Sequence, residues 1–90
     1  MKSTSPLRAL CSPSLPENRL NIHPNEGADI GMMMTEYSVR TGEGQAVEVH
    51  LLNNCPPESV ELNTRLWEKL GKPSKVTLGL DGETLRIEKV

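Results

Sequence analysis

The sequence predicts a small β-rich α+β domain over residues 32–90, two β-hairpins flanking one short helix in the order β-β-α-β-β, behind a disordered N-terminal segment over residues 1–31. Three observations predict it. Apolar residues alternate on both sides of Gly42-Glu43-Gly44, and again on both sides of Asp81-Gly82. Between these runs lies a helix-sized stretch bounded by Asn63 and Gly71. A chain of 90 residues is one domain at most, and with one Trp, one Tyr and no Phe its core must be aliphatic.

Residues 1–16, MKSTSPLRALCSPSLP, hold three prolines and no acid. Such Pro/Ser-rich, weakly apolar composition reads as a loose tail. Lys2, Arg8 and the serines have the flavour of a targeting segment, but Pro6, Pro13 and Pro16 break the amphipathic helix that such a signal needs, and no apolar stretch of a secretory signal is present. Residues 17–31 add one short alternation, Leu20 and Ile22, before a turn at His23-Pro24-Asn25. Composition changes to a strand-like pattern at Met32-Met33-Met34, which raises the expectation of an internal start there.

From Thr35 the pattern is regular. Tyr37 and Val39 fall on one face of a strand, as do Val47, Val49 and Leu51. Facing Val39 with Val47 and Tyr37 with Val49 leaves Gly42-Glu43-Gly44 as a three-residue loop, with Gly44 suited to the left-handed position. In the last sixteen residues, Asp81-Gly82 as a two-residue turn pairs Leu80 with Glu83, Leu78 with Leu85 and Val76 with Ile87. The intervening helix takes Asn63 as its N-cap, carries Leu66, Trp67 and Leu70 on one face, and ends at Gly71 before Pro73. Two readings of its start stay open: Val60-Glu61-Leu62 is a short strand leading into the cap, or the helix begins near Pro57 and includes it. The longer helix gives the element order shared with small β-grasp domains.

With Val60-Glu61-Leu62 as a strand, residues 60–90 resemble the swapped-hairpin domain of the AbrB and MazE type. Val60, Leu62, Leu66, Lys69, Leu70, Gly71, Val76, Leu78, Leu85 and Ile87 carry the likeness. It covers about a third of the chain. The resemblance implies a dimeric transcription regulator or antitoxin that binds DNA through basic residues. Two departures stand against it: the loop after Gly71 is short, with Ser74 where the family has a second glycine, and residues 41–64 hold no lysine or arginine at all. Phosphate contacts dominate DNA affinity and come mainly from Lys and Arg, whereas Glu43, Glu48, Glu58 and Glu61 repel phosphate.

The chemistry-bearing residues are sparse. His23 and His50 with Cys11 and Cys55 lack the spacing of a metal site, and a Cys55/His50 nucleophilic pair has no orienting group. The Gly-Glu-Gly turn is not followed by the helix and Lys-Ser/Thr pair of a phosphate loop. No catalytic, cofactor-binding or metal-ligating residue is assigned, and no cofactor is implied. Two free cysteines fit a reduced, cytoplasmic setting. A net charge of −2 gives no general pull toward nucleic acid or anionic membrane, and no apolar run approaches a bilayer span. The expectation is therefore a non-enzymatic protein-interaction domain, homodimeric if it needs a partner to complete its core. Trp67, Arg65, Lys69, Lys72 and Lys75 are the candidate interface, and DNA binding through the same patch is the alternative.

Overall fold

The structure, a computed structural model, describes residues 2–90. It has eight strands and two short helices: β1 (Lys2–Ser3), β2 (Leu7–Cys11), β3 (Arg19–Ile22), α1 (Pro24–Asp29), β4 (Glu36–Thr41), β5 (Ala46–Leu51), β6 (Ser59–Leu62), α2 (Thr64–Lys69), β7 (Lys75–Asp81) and β8 (Thr84–Lys89). The strands follow one another as β7-β2-β6-β3-β5-β4-β8, and β8 pairs back onto β7. That closes a barrel of seven strands, with β1 lying end to end with β2 along the same edge of β7.

This corrects the expected β-β-α-β-β domain. The expected loose segment is part of the barrel: β3 pairs with both β5 and β6, and Leu7, Leu20, Ile22 and Ile30 are all buried in the core. The physical reason is that the two halves interlock. Consecutive strands β2 and β3 do not pair; β6 runs between them, parallel to β2 and antiparallel to β3. In the same way β3 runs between β5 and β6. Each half leaves a gap that only the other can fill, so the first half has no local pairing pattern to display.

The halves repeat at an offset of forty residues. Strand β3 and helix α1 match β6 and α2 position for position. The Arg8–Ser59 and Arg19–Glu48 pairings exchange under the same shift. So do single hydrogen bonds: Ser12 N–H to Leu62 O and Leu52 N–H to Ile22 O, or Met32 N–H to Gly27 O and Lys72 N–H to Trp67 O. The antiparallel crossing of β3 and β6 maps onto itself, and there Asn21 Nδ2 donates to Glu61 Oε1 at 3.0 Å.

Local chemistry explains the elements. Val60-Glu61-Leu62 is a strand, and α2 starts after it with Asn63 Oδ1 accepting the Leu66 N–H at 2.9 Å. Gly71, at φ +86°, ends it. The first hairpin has the expected register, Val39 opposite Val47 and Tyr37 opposite Val49, with Gly44 at φ +89°. The second hairpin is displaced by two residues: Leu80 faces Leu85, Leu78 faces Ile87 and Val76 faces Lys89. Its loop is Gly82-Glu83, with Gly82 at φ +63° in the first central place that a type II′ turn reserves for glycine. A two-residue slip keeps every side chain on its own face, so Val76, Leu78 and Leu85 are still fully buried. Where β1 gives way to β2, Thr4 Oγ1 accepts the Leu78 N–H and its own N–H donates to Leu78 O. That patches the ladder beside Pro6, which has no N–H to give.

Candidate functional site: a groove beside the second helix

The helical spacing of α2 sets Leu66, Lys69 and Leu70 on one side. Facing them is the turn of the first hairpin, Thr41 to Gln45, and Lys69 Nζ bridges the two by donating to Gln45 Oε1 at 3.0 Å. The other wall is β8 from Leu85 to Glu88. Together they enclose a groove of about 250 Å³ with an apolar floor of Leu66, Leu70, Leu85 and Ile87. Glu43, Lys69, Arg86 and Glu88 form its charged rim. A second hollow of about 460 Å³ continues past Lys69 to Arg65, Glu68 and Glu17, sharing Gln45, Leu66 and Lys69 with the first.

Of the candidate interface residues, the structure brings Arg65 and Lys69 to this groove. Arg65 is ion-paired to Glu17. Trp67 lies outside it, half-buried against the core, with Nε1 donating to Pro73 O at 3.0 Å. Lys72 follows the helix at φ +53°, and Lys75 lies opposite Arg8 where β2 meets β7. The sequence reading missed Gln45, Leu66, Leu70, Leu85 and Ile87 as site residues. Their signal was only their place around two predicted elements, because the groove arises from how the first hairpin's turn packs across α2.

The other chemistry-bearing residues sit elsewhere. His50 approaches Glu36 at 3.4 Å and Glu48 at 3.8 Å. His23 caps α1, its Nδ1 accepting the Asn25 N–H at 3.1 Å. Cys11 is exposed and Cys55 is buried. Burial, together with Glu61 and Glu26 close by, pushes the Cys55 thiol from 9.0 up to about 11, which leaves it protonated and unreactive. No group of three His, Cys, Asp or Glu side chains able to hold a metal occurs among the described residues. Glu26 is buried, and its Oε2 has no hydrogen-bond partner among the described residues. The forty-residue shift places it on Leu66, so α1 buries a carboxylate where α2 buries a leucine.

No protein-family model, curated protein or solved structure matches the chain with significance. Among the described residues, no helix is long and apolar enough to cross a membrane.

Proposed function

We propose that the protein is a non-enzymatic association domain that binds another protein through the groove beside α2. The observation that carries this is the continuity of the groove: an apolar floor of Leu66, Leu70, Leu85 and Ile87 inside a rim of mixed charges. An apolar centre with a polar rim is the anatomy of a protein interface, and the balanced rim favours neither a polyanion nor a polycation. DNA binding as an AbrB-type regulator draws less support, because Arg65 is engaged by Glu17 and Glu68 lines the same hollow as Arg65 and Lys69.

Selection from a random peptide display library tests the reading. Enriched peptides are expected to shift the NMR signals of Leu66, Lys69, Leu70 and Ile87, and to lose affinity at least tenfold for a folded Leu70→Gln variant. Peptides that map to another surface, or a library that enriches nothing, would count against the groove.

A further inference from the structure

Beyond Leu85, one edge of strand β8 pairs with no other strand among the described residues. Strand β4 reaches it at two places, Arg40 beside Thr84 and Thr41 beside Leu85, and then turns away at Gly42. On its other side β8 pairs with β7 along its whole length, and the Val90 N–H donates to Lys75 O at 3.1 Å. Bonded pairs alternate in an antiparallel ladder. That bond therefore fixes Thr84, Arg86 and Glu88 as the residues whose backbone groups turn toward β7. The N–H and C=O groups of Ile87 and Lys89 point the other way, and among the described residues no other hydrogen bond satisfies them.

Ile87 places its groups at the groove, and Lys89 continues the same edge just beyond it. Ile87 lines its floor together with Leu66, Leu70 and Leu85, while Arg86 and Glu88, exposed and alternating with it along β8, stand on its rim. Arg86 and Glu88 have no ion-pair partner among the described residues. An apolar hollow alone could take many ligands. One walled by unpaired N–H and C=O groups at strand spacing is complementary to an extended polypeptide, which carries the same groups at the same rise.

We propose that an extended segment of a partner protein adds to β8 as an antiparallel strand centred on Ile87, with a basic–apolar–acidic order. This rests on the association reading and names the partner's chemistry. The apolar residue pairs with Ile87 and drops its side chain onto Leu66 and Leu70. Antiparallel pairing then sets the preceding basic residue opposite Glu88 and the following acidic residue opposite Arg86, at positions where cross-strand side chains approach closely.

The test uses the full chain and a capped hexapeptide with lysine, valine and glutamate in that order at its centre. NMR titration is expected to show slowed amide exchange at Ile87 and Lys89. N-methylation of the central valine, whose N–H meets Ile87 O, is expected to abolish binding, while N-methylation of the adjacent glutamate changes it little. Reversing the lysine and glutamate should weaken binding about two- to fivefold per charge, and the Arg86→Glu/Glu88→Arg variant should invert the preference. Binding without protection of Ile87 and Lys89, indifference to which residue is N-methylated, or slow exchange arising from a concentration-dependent dimer without peptide would each overturn the proposal. If this peptide fails while library-selected peptides still shift groove residues, strand addition falls and association stands; if neither binds, both fall.

Discussion

Replacing Glu26 by leucine is expected to stabilise the protein, and the repeat supplies the reason. Glu26 is 6% exposed and its Oε2 has no partner among the described residues, while its counterpart Leu66 is 5% exposed and packed in the core. Removing a buried acceptor that lacks a hydrogen bond recovers about 1–3 kcal/mol. Burying a leucine side chain adds about 1.5–3 kcal/mol, and imperfect fit in a site shaped around a carboxylate takes back roughly 1–3 kcal/mol. The balance is a gain of about 2 kcal/mol, and a shift of roughly 4–8 °C per kcal/mol for a domain of this size raises Tm by about 10 °C. Urea unfolding followed by Trp67 fluorescence, with a thermal melt alongside, measures it. Glu26→Gln, which keeps polarity but removes charge, is expected to gain less, and the reciprocal Leu66→Glu to lose stability. If Glu26→Leu instead destabilised by more than about 1 kcal/mol, the carboxylate would have to hold a partner, and the reasoning from unsatisfied burial would fail.

Other outcomes follow from the same geometry. Because the folded state holds the Cys55 thiol up to about 11 against 9.0, its contribution is fully present below pH 9 and lost as pH rises through 11. That is roughly 2–3 kcal/mol, and urea midpoints between pH 8 and 11 should fall with a slope that Cys55→Ala flattens. Thiol labelling under native conditions should modify exposed Cys11 quickly and Cys55 only on unfolding. Asn63→Ala removes the side-chain acceptor of the Leu66 N–H and is expected to cost about 1 kcal/mol, read from denaturation. Fragment 32–90 lacks β2 and β3, so its NMR spectrum should be poorly dispersed; a well-dispersed one would restore the domain boundary at Met32.

Each half of the structure was legible to a different degree. The first hairpin could be read because its apolar pairs and its loop agree: Val39/Val47, Tyr37/Val49 and a glycine at the left-handed place. The second hairpin could be found but not placed, since Leu78 meets an apolar residue in either register and alternation is blind to a two-residue slip. Turn chemistry at Gly82 decided it. The N-terminal third was misread because Leu7, Leu20 and Ile22 pair with strands of the other half, and local pattern cannot report a distant partner. The internal repeat carries the signal that local pattern lacks: Leu20-Asn21-Ile22 recurs in type as Val60-Glu61-Leu62, Ile30-Gly31 as Leu70-Gly71, and Gly42-Glu43 as Gly82-Glu83. The groove was only partly legible. Arg65 and Lys69 came from charge, but its floor unites α2, β8 and the first hairpin's turn, which meet only once the barrel closes.

Amide hydrogen exchange on the full chain puts both parts of the account to the test at once. Leu20, Asn21 and Ile22, held between β5 and β6, should be among the slowest amides to exchange, while Ile87 and Lys89 on the open edge of β8 exchange quickly. Unprotected amides from Leu7 to Ile22 beside a protected second half, or slow exchange at Ile87 and Lys89 in the isolated protein, would contradict the interlocked barrel and its open strand edge.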